Sequence, residues 1–298
     1  MLKQIMRSRV VAEANTPSEA ASGTGGYSLS SLTKWYAESG VRYRLPLAVA
    51  ILSVYFMEYR LWIASEKTSL YDVSTLHLLG KGLLLSSLLA LWARTSRLGV
   101  LLFVVIAVIA IVPDWGTSAN HLFLALWAIP LALIFREWWT SDIYIFYLRM
   151  TLGVVMLAAF SQKILAGTYV DGSYISWLSA NGSTSERIFS FLCDVNATTP
   201  CLYHRMIAIF ILGWQFCVGI LLLLGLNSLI FLAIEIGFLL GAGFYADEMN
   251  FQILNIALLC IVFRYGMPLW LVAISVVFLV VDVYSVSRIL DLVQINVG

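Results

Sequence analysis

A chain of 298 residues with 61% hydrophobic and only 12% charged residues falls outside the soluble globular class, in which about 25% of residues are charged. Its mean hydropathy of +0.89 points instead to an integral, multi-pass membrane protein with the lipid bilayer as its first partner. A formal net charge of +1 leaves no basic excess to bind nucleic acid, so no such partner is expected.

Residues 1–43 are expected to be a disordered or interfacial cytoplasmic segment, and residues 44–298 a transmembrane helical domain with an outer loop at 167–202. Residues 1–30 are small, polar and rich in Gly and Ser, and cannot bury enough apolar surface to fold. The stretch 28–43 has the pattern of a short interfacial helix, with Leu29, Leu32, Trp35 and Tyr36 on one side and Lys34 and Arg42 suited to headgroups. The apolar core of a signal peptide is not evident in this region.

From Leu45 onward about nine apolar runs are long enough to cross, or nearly cross, the hydrocarbon core. They lie near 45–64, 76–93, 98–113, 119–136, 142–166, 203–225, 227–245, 249–265 and 268–287. The expected fold is therefore an all-α polytopic transmembrane helix bundle, with eight spans if one run is re-entrant. Turn-forming residues separate the runs at Pro113 to Gly116, Gly225 to Asn227 and Gly266 to Pro268.

Lysines and arginines in short connections set the orientation. They gather in the N-terminal segment, at Arg94 and Arg97, at Arg136 and at Arg264, and are sparse in the opposite set, which holds Lys67 and Arg187. The expected N-terminus is cytoplasmic, and the loop 167–202 extracytoplasmic. With an odd number of spans the C-terminus lies outside, where Arg288 fits the rule poorly.

Four cysteines are present. Cys193 and Cys201 share the outer loop, where an oxidising compartment would let them pair as a disulfide; two free thiols are the alternative. Cys217 and Cys260 fall within apolar runs and are expected to be inert packing residues. Asn181 and Asn196 each begin a glycosylation sequon.

Ionisable and amide side chains within the runs fall mostly on the outer side once the helices are oriented. Glu58 and Arg60 lie in the outer half of the first run, and His77 and Lys81 open the second on one helix face. Lys163 ends the fifth run. Glu235 is near the middle of the seventh, which exits through Tyr245, Asp247 and Glu248. Gln252 and Asn255 start the eighth, and Asp282 lies in the ninth. Lys163 either snorkels to the headgroups or serves a site. Glu235 is too deep to snorkel, so it must be protonated, paired with a cation or facing an aqueous cavity. Gly237 and Gly241, four apart, predict close approach of a neighbouring helix, so that Glu235 either faces a polar pocket inside the bundle or makes a structural hydrogen bond between helices. Soluble-enzyme motifs are lacking, and the three histidines sit near the ends of runs, so no metal site is expected.

The most specific motif is Phe160, Lys163, Asp171, Gly172 and Tyr174, an aromatic and a lysine at a helix end followed by acidic-Gly-x-aromatic. It resembles the signature of the HTTM proteins, membrane relatives of vitamin K-dependent gamma-carboxylase. Looser matches are Glu235 through Tyr245 and Met249, and Asn120-His121 to Pro130; together they cover most of 45–265. The resemblance implies a small member lacking the luminal domain that holds the carboxylase's peptide substrate. It implies Lys163 as the catalytic base that deprotonates a reduced quinone, which would be the cofactor. It departs from the pattern at Glu235, where relatives commonly carry a histidine. DoxX-like quinone-linked proteins are similar in hydropathy and in their lysine-bearing helix.

Three functions follow as expectations. The first is an outward-facing polar pocket that binds a quinone or lipid-like substrate, or matures a secreted peptide. Lys163 would be catalytic there, with Asp171, Tyr174, Glu235, Glu58, His77 and Lys81 around the substrate. The second is a proton-coupled transporter using Glu235 and Asp282, although no internal repeat supports it. The third is a DoxX-like or structural subunit of a membrane complex. Whether the protein is an enzyme is left open by the sequence.

Overall fold

The computed structural model describes residues 36, 40–64, 71–111, 120–135, 137–181, 192–193, 199–246 and 248–283. The N-terminal tail, Lys67, Arg136, Arg187, Asn196, Asp247 and Arg288 lie outside the described residues, as do the side chains of Arg60, His121, Asn181 and Asp282.

The described chain is helical throughout, with no strand among the described residues. Ten α-helices follow in order: α1 (Val41–Ala64), α2 (Val73–Ala90), α3 (Ser96–Ile106), α4 (Asn120–Ala128), α5 (Asp142–Ala166), α6 (Ser173–Asn181), α7 (Leu202–Leu223), α8 (Leu229–Ala246), α9 (Met249–Val262) and α10 (Leu269–Val283). A π-helical turn, Ala107–Ile111, continues α3, and a 3-10 turn, Pro130–Leu133, follows α4. Pro130 lacks the N–H that an unbroken α-helix would need there. Each of the nine apolar runs carries a helix. Three of them, α5, α7 and α8, are long and apolar enough to cross a membrane. The short α6 is an addition within the loop 167–202.

The centre of the bundle is α9. It is buried along nearly its whole length, as expected of a helix that is hydrophobic all round, and it packs on α1, α5, α8 and α10. Helix α5 packs most extensively on α7, and α1 equally on α2 and α9. By contrast α8 packs closely on α9, meets α7 through long side chains, Glu235 and Phe238 against Trp214 and Phe210, and makes little contact with α5. That uneven packing leaves a gap, and the gap holds the candidate site.

Glycines explain where helices meet closely. A Cβ on Gly153 of α5 would come 2.8 Å from the Leu223 side chain and 3.1 Å from the Gly219 carbonyl oxygen. A Cβ on Gly219 would meet Leu157 at 2.8 Å. Neither position has room for a side chain, so the α5–α7 seam depends on both. The expected close approach at Gly237 and Gly241 is not found: added Cβ atoms there meet nothing within 4 Å. A correction also applies to Cys217, which is exposed on α7, whereas Cys260 is buried as expected.

The two ends of the bundle differ in chemistry. At one, Arg44 Nε donates to the Leu91 carbonyl at 2.7 Å and Arg42 donates to the Tyr265 carbonyl at 3.1 Å. Arg264 pairs with Asp142 there, and the Tyr36 hydroxyl donates to the Met267 carbonyl. The start of α1, the end of α2, the start of α5 and the end of α9 are thus tied together at the end the charge pattern assigns to the basic connections. The end of α5 and the loop beyond it lie opposite.

Candidate functional site

Lys163 stands in the last turn of α5, which stops at Gly167 because φ there is +74°, a conformation that glycine adopts without a Cβ clash. The Lys163 ammonium donates to Gln215 Oε1 of α7 at 2.8 Å. It also lies 5.0 Å from the centre of the Tyr169 ring, within cation–π range. The ammonium is therefore turned into the bundle, toward α7, and not outward.

The loop after α5 is built to return aromatic rings to this ammonium. Gly172, at φ +82°, lies against α7 so tightly that a Cβ would be 2.9 Å from the Arg205 backbone nitrogen. Asp171 Oδ1 accepts from the Ser173 amide at 2.8 Å and starts α6; these hydrogen bonds hold its exposed carboxyl below the usual range. Tyr174 then stacks on Tyr169, with ring centres 4.5 Å apart. Burial pushes both phenols above their ordinary range. On the far side, the Tyr245 hydroxyl meets Ser179 Oγ at 3.1 Å and joins α6 to α8.

Between α8 and α9 stands Glu248. Burial pushes its carboxyl above the usual range, opposed by the positive charge of Lys163. The two feel each other's charge without being joined in an ion pair. Together these groups form the polar end of a cavity of about 1100 Å³ between α5–α7 and α8–α9.

The cavity is long. Tyr147 and Lys163 both line it, and sixteen residues of α5 correspond to about 24 Å at 1.5 Å per residue. Its apolar walls include Phe123, Trp127, Val154, Phe210 and Phe238. Gly237, Gly241 and Ala242 line the α8 side, and there the missing side chains provide room. Gln252 and Asn255 bring amides from the central helix. Asn255 Nδ2 donates to the Phe251 carbonyl at 3.2 Å, while its Oδ1 is buried with no hydrogen-bond partner among the described residues.

Of the residues singled out in the sequence as a common site, Lys163 and Tyr174 line this cavity. Asp171, Glu235, Glu58, His77 and Lys81 do not. Asp171 is occupied in starting α6. Glu235 is buried one turn before Phe238 and Leu239, and its Oε2 accepts from Trp214 Nε1 at 2.7 Å. Its partner is thus an indole on the neighbouring helix, the structural hydrogen bond between helices that was the alternative to a cation or an aqueous cavity. Glu58 is buried on α1, and His77 and Lys81 lie on α2, neither helix contributing to the cavity wall. The expected convergence of Lys163, Glu235 and the first two helices does not occur. Gln215 and Tyr169 take those places; a lone amide in the apolar run of α7 was the available signal for the first.

Near the start of α7, Cys193 and Cys201 stand at disulfide distance, with Cα atoms 6.3 Å apart. His204 lies beside them, with a ring nitrogen within 4.8 Å of both sulfurs. No family model, no curated protein and no solved structure matches the chain.

Proposed function

We propose that this is an integral membrane protein that binds an elongated, lipid-like amphiphile with a compact polar head, of which a quinone, in its oxidised or reduced form, is the best-fitting class. The observation that carries the proposal is the cavity itself. It is long and apolar-walled, with an ammonium, an amide, a carboxyl and two phenols grouped at one end. A chain would lie along Phe210, Phe238 and the glycine side of α8. A head bearing both donors and acceptors would meet Lys163, Gln215 and Glu248. In this orientation the N-terminus is cytoplasmic and the polar end opens outward, in line with the distribution of basic residues.

Lys163 would act on the head as a base, the role that the resemblance to HTTM proteins implies. A lysine can do this only in its neutral form, and Glu248 beside it could receive a proton. The transporter alternative gains no support from Glu235, whose carboxyl is already bonded to Trp214.

The test is equilibrium binding of decylubiquinone to the purified protein in detergent, read by quenching of Trp127, with Trp127→Phe as the control. Saturable quenching that weakens by about tenfold in Lys163→Ala is expected, the order of a lost charge-assisted contact. No saturable quenching, or equal binding by Lys163→Ala, would remove the assignment.

A further inference from the structure

The disulfide at the start of α7 is placed unlike a plain loop staple. Cys201 is the N-cap residue of a helix of 22 residues and is partly buried, whereas Cys193 is buried. No side chain caps α7 at that point, so first-turn amides are free to stabilise a negative charge. A thiolate at a helix N-terminus is favoured for that reason. A second, independent feature is His204. It is 3% exposed, its ring reaches within 4.8 Å of both sulfurs, and its Nδ1 has no hydrogen-bond partner among the described residues. A buried imidazole nitrogen left without a partner is costly unless it serves another group; the ring also lies beside that of Tyr203, and both sulfurs are within its reach.

We propose that Cys193, Cys201 and His204 form a thiol–disulfide exchange site that oxidises a dithiol peptide or protein, independently of the cavity at Lys163. The first thiol of the substrate loses its proton to water and attacks the accessible Cys201 Sγ. A new S–S bond forms, the Cys193–Cys201 bond breaks, and its electron pair leaves on Cys193, which takes a proton from the His204 imidazolium. The neutral imidazole then accepts the proton of the substrate's second thiol. That thiolate attacks the substrate sulfur of the mixed disulfide, and Cys201 departs as a thiolate held by the first turn of α7. Two electrons have passed from the substrate, now a disulfide, to the cysteine pair. The order of attack follows from exposure, because Cys201 is the more accessible of the two cysteines.

The experiment measures the rate at which dithiothreitol reduces Cys193–Cys201 in the full chain in detergent, followed by alkylation and mass analysis. The wild type should react about tenfold or more faster than His204→Ala and His204→Gln, the lower range for loss of a general acid. If the histidine only packs, His204→Ala loosens the loop and reacts as fast as the wild type or faster, which overturns the proposal. A second arm uses Cys193→Ser with oxidised glutathione. Cys201 should be captured as a stable mixed disulfide, since the resolving thiol is gone, while Cys201→Ser should leave Cys193 unmodified. Capture at Cys193 in preference to Cys201, or at neither, also overturns it.

Discussion

Two pairs of glycines in this bundle, one shared between α5 and α7 and the other four apart on α8, do opposite things. Gly153 and Gly219 lie where α5 and α7 touch, and each is filled against by the other helix. Gly237 and Gly241 lie on α8 with open space before them and line the cavity. In the first pair the missing side chain allows contact, and in the second it leaves room for something else. Small-residue spacing alone therefore says that a helix surface is smooth. Whether a helix or a ligand uses that surface depends on which neighbours pack, and here α8 packs closely on α9 and reaches α7 through the side chains around Trp214.

The contrast is broken most forcefully at the seam. Gly153→Leu should prevent α5 and α7 from closing, since its Cβ alone would collide with Leu223 and the Gly219 carbonyl. Overpacking of this kind costs about 1–3 kcal/mol or more, and backbone on one side leaves little to yield. Thermal unfolding and size-exclusion profiles in detergent should show a strongly destabilised or misfolded chain. If Gly153→Leu behaves like the wild type, the seam is not as tight as described.

Gly241→Leu is the matched change on the other pair. It should leave thermal stability within about 0.5 kcal/mol, as for a substitution away from packed features, yet abolish binding of decylubiquinone by filling the slot. Loss of stability together with binding would make Gly241 a packing residue after all, and unaltered binding would place the amphiphile elsewhere.

Lys163→Arg sharpens the chemistry of the polar end. Arginine keeps charge and length but cannot give up its proton at accessible pH. If Lys163 is a base, Lys163→Arg should bind the probe within a few-fold of the wild type and yet fail wherever turnover or phenotype is scored, as Lys163→Ala does. A fully active Lys163→Arg protein would leave only a binding or anchoring role.

Much of the fold was legible in the sequence because its driving force is the length of apolar runs, and each of the nine runs carries a helix. The turn-formers at Gly225 and Gly266 were legible for the same reason, both having positive φ. Lys163 and Tyr174 were legible because a charged residue and an aromatic loop at the end of an apolar helix need an explanation. The partners were not. Glu235 gave no sign of choosing Trp214, twenty-one residues earlier, because that depends on how α7 is rotated against α8. Asp171 looked like a ligand for a substrate, but in Asp-Gly-Ser the nearest amide is its own chain's, and the local hydrogen bond won. Gln215 passed unnoticed because one amide among leucines and phenylalanines gives no periodic signal.

The smallest expected effect concerns Glu248, and it bears on whether the polar end is truly shielded. Its carboxyl is pushed above the usual range chiefly by burial, with Lys163 pulling the other way. A raised carboxyl means that the folded protein holds the proton more tightly than the unfolded chain, whose glutamates titrate near about 4.3. The corresponding stabilisation is fully present below that value and is lost as pH rises through the higher folded-state value. Glu248→Gln, which is neutral at every pH, lacks this contribution to the pH dependence. The wild type should therefore lose thermal stability relative to Glu248→Gln as pH is raised from about 4 to 8, by on the order of 2–4 °C for each kcal/mol involved. Taking the difference between the two proteins cancels the titrating groups that do not feel the charge of Glu248. A difference that stays flat would mean that water reaches Glu248 freely, and one that grows in the wild type's favour would mean that attraction to Lys163 outweighs burial. In either case the polar end would be wetter, or more tightly paired, than a shielded pocket for a neutral head requires.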